Sequence, residues 1–340
     1  MGKMTYSDAG VDINKVKKSH KKTWNQIMET FGLRNGKIGQ PLKVFGHYAG
    51  LIEIDDKKVL ALHTDGVGTK VLVSQVLEKY DTIGIDAVAM GVNDVICVGA
   101  EPIALVDYLA LEKTNDEMIQ EIMKGLVEGA KQADTVIIGG ETAIMPDVIT
   151  GVENKGFDLA VTVLGVVDKD KIITGEKMKP GDIVIGLESS GIHSNGLTLA
   201  RKVVPKEHYK ELLIPTKIYV KPVLEIVKKC NVHGLANITG GAFSKLMRIG
   251  EKANVGFSLD NIPELKEIFK LIQKNANISD REMYRTFNCG IGFVVVVSEG
   301  EDKKVMEICG EHGIKAMKIG KVIEERDVKI KTPSDIISVI

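Results

Sequence analysis

Apolar positions recur along the chain with two alternating periods. Trp24, Ile27, Met28 and Phe31 fall at i, i+3, i+4 and i+7, which predicts an amphipathic helix over about Asn14 to Phe31. KVLALH, residues 58–63, is short and mostly apolar, so it reads as a buried strand running directly into TDGVGTK. Asp81 to Val98 then reads as a helix, Ile103 to Leu111 as a strand, and Asn115 to Ala133 as a helix with Thr114 or Asn115 as its N-cap. TVIIGG is a buried strand ending in glycines, and FDLAVTVLGVV is a longer one. The charged break DKDKIITGEKMKPGD follows, holding the only Pro-Gly (Pro180-Gly181), and divides the chain into expected domains 1–168 and 169–340. Beyond it DIVIGLE repeats the order of strand then glycine loop, and a helix starts near Asn195 and runs to Val203. Val223 to Lys229, Gly241 to Glu251 and Leu265 to Asn275 read as further helices, with IGFVVVV and Ile319 to Ile323 as strands. No 20–50-residue period is present, which excludes a solenoid. The expected fold class is α/β (α+β) in two domains.

Composition narrows the partners. Lys plus Arg is 45 and Asp plus Glu is 46, so the basic surplus of a nucleic-acid-binding chain is missing. The strongest apolar run, Ile291 to Val297, is far too short to cross a bilayer. MGKMTYSDAG has no apolar leader segment, and Cys97, Cys230, Cys289 and Cys309 have neither zinc nor CxxC spacing. The expectation is a cytoplasmic protein with no nucleic-acid or membrane partner. Glycine is the outlier: 35 of 340 residues, against an average of ~7%, and clustered. Clustered glycine marks backbone that must approach something closely, and phosphate is the commonest such ligand.

Six loops could carry chemistry. In His63-Thr64-Asp65-Gly66-Val67-Gly68-Thr69-Lys70, Gly66 and Gly68 bare backbone N–H groups, Thr69 adds a hydroxyl and Lys70 a mobile cation. The spacing is neither a P-loop nor GxGxxG, and a tight turn with a capping Asp explains the segment equally well. In IGIDAVAMGVNDV, Asp86, Met90 and Asp94 are spaced i, i+4, i+8 with Asn93 alongside. Such carboxylates either face solvent or, inside an apolar helix, must be paired or bind a cation. In VIIGGETAIMP, Glu141 and Thr142 follow a strand end, where α/β proteins place ligands. Asp65, Asp94 and Glu141 together would suit Mg²⁺, which prefers hard oxygen donors and bridges carboxylates to phosphates.

The second half holds three more loops. Ser189-Ser190-Gly191-Ile192-His193-Ser194-Asn195-Gly196 gathers donors ahead of a helix, as an anion cradle would; a capped helix start explains only part of that run. Thr239, Gly240 and Gly241 again open a helix. Cys289, in Tyr284 to Gly290, reads as a buried structural thiol.

Taken in order, YSDAGVDI, TDGVGTK, DTIGIDAVAMGVND, GAEPIALVDYLA, GGETAIMP, SSGIHSNGL, PTKIYVKPVLE, ITGGAF and MYRTFNCGIGF resemble the phosphoribosylformylglycinamidine cyclo-ligase (aminoimidazole ribonucleotide synthetase) family over nearly the whole chain. The resemblance implies ATP-dependent closure of formylglycinamidine ribonucleotide to aminoimidazole ribonucleotide in purine biosynthesis, with ATP and Mg²⁺. It also implies a homodimer whose N-terminal sheets pair into a barrel, each followed by a C-terminal α/β domain. Carried onto this chain, Asp65, Asp94 and Lys70 are the catalytic candidates. Gly66, Gly68, Thr69, Lys70, Asn93, Glu141 and Thr142 are expected at ATP, with Asp65, Asp94 and Glu141 at the metal. Ser189, Ser190, His193, Ser194, Asn195, Thr239, Gly240 and Gly241 are expected at the ribonucleotide.

Two departures stand out. The family often has a GxGGFG-like run where this chain has Val44-Phe45-Gly46-His47-Tyr48-Ala49-Gly50. It often has His-x-Thr-Gly-Gly-Gly where this chain has Asn237 to Ala242. A sibling kinase that stops after phosphoryl transfer would share the Asp65/Asp94 logic but would not need the SSGIHSNG cradle.

Overall fold

The computed structural model describes residues 23–42 and 46–340. YSDAGVDI, residues 14–22 of the first expected helix, and residues 43–45 of the altered glycine loop lie outside the described residues; residues 23–28 are helical. Two sheets organise the rest. The first has the order β1-β2-β3-β6-β4-β5, from β1 (Gln40–Pro41), β2 (Gly50–Glu53), β3 (Lys58–Gly66), β4 (Glu101–Leu111), β5 (Val136–Ile144) and β6 (Phe157–Asp168). The second has the order β13-β12-β9-β11-β7-β10-β8. Its strands are β7 (Ile183–Glu188), β8 (Val232–Asn237), β9 (Gly256–Leu259), β10 (Ile291–Val297), β11 (Ala316–Ile323), β12 (Val328–Lys331) and β13 (Ile336–Ser338). The first sheet is antiparallel except for β4 beside β5, and the second except for β9 beside β12. The mixed α/β class is therefore what the chain forms, in two open sheets.

Residue choice explains how the first sheet is covered. Phe157, Leu159, Val161 and Val163 alternate inward along β6 and are buried beneath the helix Ile83–Val95. That helix can lie close because Gly91 has no side chain: a Cβ there would sit 2.5 Å from Val163. The helix Asp116–Ala133 packs on it in turn, its backbone meeting that of Ile83–Val95 where Gly84 and Gly125 face each other. Its start is fixed by Asn115, whose Oδ1 accepts from the Met118 N–H at 3.1 Å, a cap worth ~1 kcal/mol.

The opposite face of this sheet is uncovered and partly apolar. Leu62, Val106, Tyr108 and Ile138 are exposed there or on the edge strand β5, which pairs only with β4 among the described residues. In the second sheet β10 lies between β7 and the edge strand β8 and is buried along its whole length, as its unbroken valine run demands.

Candidate active site

The loops meet in a seam between the two sheets. From the first sheet come the end of β3, the turn 66–70 and the last turn of the helix Ile83–Val95. From the second come the loop 189–198, the segment 214–219 and the turn after β8. Two contacts mark its floor: Thr69 Oγ1 lies 3.1 Å from Thr198 Oγ1, and a side chain at Gly240 would come within 3.3 Å of Asn195 Oδ1. The TDGVGTK, SSGIHSNG and ITGG loops, distant in sequence, therefore line one cleft.

Asp94 sits at its centre. Its Oδ1 accepts from Asn237 Nδ2 at 2.7 Å, and its Oδ2 lies 3.4 Å from His63 Nε2. The same His63 nitrogen is 4.0 Å from Asp65 Oδ2, so one imidazole stands beside both carboxylates. Burial works against a charged His63, yet Asp65 and Asp94 outweigh it and hold its pKa above the ordinary value. Asp65 is the open member, with 40% of its side chain exposed against 6% for Asp94. Its Oδ1 also accepts from the Gly66 N–H at 2.8 Å, a contact within β3; the turn that follows starts at Val67 and has no side-chain cap, so Asp65 is not the capping residue of a tight turn. Facing this pair from the second sheet is Lys245, whose ammonium donates to Thr239 Oγ1. Burial lowers the pKa of Lys245, while the Asp94 charge, and to a lesser degree that of Asp65, resists.

Several expected residues have a different setting. Lys70 is not a mobile cation: it is fully buried, 2.9 Å from both oxygens of Asp86, and it donates to the Ile214 carbonyl at 2.6 Å. Asp86 also accepts from Thr216 N, Thr216 Oγ1 and Ser194 Oγ at 2.7, 2.6 and 3.1 Å. Asn93 is buried too, accepting from Tyr219 N and donating to the Lys217 carbonyl. Lys70, Asp86, Asn93 and Ser194 thus stitch the two halves together. The alternative in which Asp86 and Asp94 face solvent is overturned, since both lie inside and are paired.

The three-carboxylate metal set is corrected as well. Asp65, Val161, Asp107 and Gly140 lie in one register row, and Val161 and Asp107 are buried on the helix side. Glu141 lies in the next row, with Gly66, Ala160 and the exposed Tyr108. Side chains of adjacent rows point to opposite faces, so Glu141 is turned away from Asp65. Three strand spacings also separate it from Gly66, about 14 Å at ~4.8 Å each. Among the described residues no three His, Cys, Asp or Glu side chains gather to hold a metal. Asp65 and Asp94 alone still fit Mg²⁺, which needs only one or two carboxylates when substrate phosphates complete its shell. Thr142 lies on β5, exposed like Glu141.

The 189–196 loop is tighter than a cradle of free donors. Ser189 Oγ donates to Asn288 Oδ1 at 3.0 Å, Ser190 Oγ to the Pro215 carbonyl at 2.6 Å, and His193 Nε2 accepts from Ser190 N at 3.2 Å. His193 is buried, and burial followed by the Lys70 charge pushes its pKa down to about 3, so it stands neutral. The following helix, Leu197–Val203, has only seven residues and no side-chain cap. Two donors are left over, His193 Nδ1 and Asn195 Nδ2, both buried without a hydrogen-bond partner among the described residues. Thr239, Gly240 and Gly241 line the cleft beside it, and Ala242 takes φ 43°, a conformation glycine adopts at less cost. Cys289 is buried and free, as expected.

Residues to which the sequence reading gave no role complete the site: His63, Lys245, Arg248 and Tyr48, with Asn237 as the orienting partner of Asp94. The Tyr48 ring lies 5.7 Å from Lys245 Nζ and 5.1 Å from Arg248 Cζ, and its hydroxyl is buried without a partner.

Two sheets joined through a seam of glycine turns and carboxylates define an AIR synthase related protein. Residues 46–167 match the N-terminal domain of that group and 179–332 its C-terminal domain. The chain belongs to the phosphoribosylformylglycinamidine cyclo-ligase family. It is 48% identical to the enzyme of that name from Pyrococcus horikoshii, covering 96% of this chain and 98% of the relative. It is 50% identical to the one from Methanocaldococcus jannaschii, covering 96% and 94%. Among solved structures it is similar in fold to T. maritima PurL complexed with ATP (TM-score 0.60, 17% identity, 89% of this chain and 45% of the other). A form of that protein complexed with FGAR gives a TM-score of 0.64 at 20% identity, covering 87% and 47%. The chain thus spans under half the length of that structure.

Proposed function

We propose that the chain closes the imidazole ring of aminoimidazole ribonucleotide: ATP and formylglycinamidine ribonucleotide give the ring product, ADP and phosphate, in de novo purine biosynthesis in the cytoplasm. The observation that carries this reading is the near-complete match to cyclo-ligases at 48–50% identity. The cleft geometry agrees with it. In the first step the formyl oxygen bonds to the γ-phosphorus as the bond to ADP breaks. The ribose-bearing amidine nitrogen then attacks the formyl carbon, and the oxygen leaves within phosphate. Such chemistry asks for positioning and charge neutralisation, with no covalent nucleophile from the protein.

Asp65, Asp94, Gly66, Gly68 and Thr69 are assigned to ATP on the first-domain side. Asn195, Thr239, Gly240 and Gly241 are assigned to the ribonucleotide on the second, with the boundary at residues 168/169. Mg²⁺ held by Asp65 and Asp94 would offset phosphate charge. Asn237 orients Asp94 in the place where the family often has histidine. The complexes of T. maritima PurL with ATP and with FGAR support a fold able to take both kinds of ligand.

A homodimer belongs to this reading. Its support is the exposed apolar outer face, with Leu62, Val106 and Tyr108, and the open edge β5, which a second copy would cover by closing a barrel.

The test is incubation with ATP and formylglycinamidine ribonucleotide. The expected result is an aminoimidazole and ADP in equal amounts. ADP without imidazole would instead indicate a kinase.

A further inference from the structure

Lys70 cannot serve as the phosphate cation from where it sits, and this leaves the cleft two carboxylates, a histidine and a triphosphate to accommodate. We infer that Lys245 is the cation that meets the transferred phosphoryl group, an assignment that rests on the ring-closure reading above. Lys245 belongs to the second domain, on the turn Ala242–Leu246 after β8, yet it faces the Asp94 and Asp65 carboxylates of the first. It makes no ion pair within 4.0 Å among the described residues; its one hydrogen bond goes to the neutral Thr239 hydroxyl. An ammonium has three N–H donors, so two are left to point into the cleft.

The surroundings are consistent with an anion there. Arg248 stands one helical turn on from Lys245, and both cations lie over the Tyr48 ring. The hydroxyl of the same Tyr48 is buried and without a partner among the described residues, a further donor beside the two cations. Tyr48 comes from the first-domain segment Gly46 to Gly50, so the Lys245–Tyr48 contact fastens that segment to the second domain. Two cations gathered at one ring, with the Asp94 and Asp65 charges acting on Lys245, make a site that a metal-bound polyphosphate would suit.

In the reaction, the bond from the γ-phosphorus to the oxygen of ADP breaks as the bond to the formyl oxygen forms. Lys245 donates hydrogen bonds to the equatorial phosphoryl oxygens and keeps its own protons. It stays in place when the C–O bond breaks and phosphate departs, and the departing phosphate takes the proton of the attacking amidine nitrogen.

The experiment compares the wild-type chain with Lys245→Met and Lys245→Arg, reading ATP affinity by calorimetry, kcat and KM for ATP, and melting temperature. Losing a preorganised donor at the transferring group costs roughly 10²–10³-fold in rate. Lys245→Met should therefore lose about that factor in kcat/KM for ATP and also bind ATP more weakly. Lys245→Arg should recover at least tenfold of the loss, and both variants should melt close to wild type. A Lys245→Met protein with wild-type ATP affinity and kcat/KM overturns the inference, even while the wild type closes the ring. Equal losses in both variants with a lowered melting temperature also overturn it, because they indicate a structural lysine. A wild type that binds ATP but forms no imidazole defeats the ring-closure reading and the inference with it.

Discussion

Replacing Lys70 with methionine keeps the apolar stem and removes the ammonium, so the effect isolates the buried pair with Asp86. Asp86 would keep three donors, Thr216 N, Thr216 Oγ1 and Ser194 Oγ, all on Oδ1, while Oδ2 loses its contact. Breaking a buried ion pair from one side typically costs about 3–5 kcal/mol, because the remaining charge is left uncompensated. The three surviving hydrogen bonds favour the low end. A loss of ~3 kcal/mol is about two powers of ten in the folding equilibrium. The loss should act on the seam, since Lys70 and Asp86 lie in one half and Ser194, Ile214 and Thr216 in the other. Urea unfolding at pH 7 should show a clearly lower midpoint. The double variant Lys70→Met/Asp86→Asn, with both charges removed, should regain part of it. ATP affinity of the folded single variant should stay within a few-fold of wild type. A single variant that unfolds at the wild-type midpoint while its ATP affinity collapses would refute this reasoning and restore Lys70 as the phosphate cation.

Asp65→Asn and Asp94→Asn should each lose activity and respond weakly to magnesium titration; wild-type rate and magnesium response in both would remove the metal from this pair. Ile138→Asp or Val106→Asp should shift the protein from dimer to monomer in light scattering, and a wild-type protein that is already monomeric at micromolar concentration contradicts the dimer. His193 has a folded pKa of about 3 against 6.5 for an ordinary histidine, so the unfolded chain takes up its proton first. Its contribution is complete above pH 6.5 and lost as pH falls toward 3, up to about 4 kcal/mol. Stability measured across that window should fall less steeply in His193→Gln, and an unchanged slope would show that His193 is protonated within the fold.

Much of the scaffold was legible because its elements are long and strongly patterned. The strands expected at 58–63, 103–111, 157–167 and 291–297 form at 58–66, 101–111, 157–168 and 291–297, and Asn115 caps the helix that its position announces. Short strands escaped. Val232–Asn237 carries a histidine and a glycine, and Val328–Lys331 and Ile336–Ser338 are too brief for a period to show. At the site, Asp65 and Asp94 were readable from their neighbours, whereas His63 joins them through the packing of the helix Ile83–Val95 on β3 and Lys245 through the closing of one half on the other. Lys70 was misread for a physical reason. A lysine after two glycines looks like a phosphate ligand until its partner is known, and that partner is Asp86, in the first turn of a helix buried on nearly every side. The polar stripe Asp86 and Asp94 within so apolar a helix was the available signal, since a buried carboxylate must be paired.

Phosphorylation of the formyl oxygen and its departure within phosphate can be followed with an oxygen isotope. Formylglycinamidine ribonucleotide carrying ¹⁸O in its formyl group is turned over with unlabelled ATP, and the inorganic phosphate is analysed by mass. One ¹⁸O is expected in each phosphate released, in step with aminoimidazole formed. Unlabelled phosphate, with the ¹⁸O released to water, would contradict it.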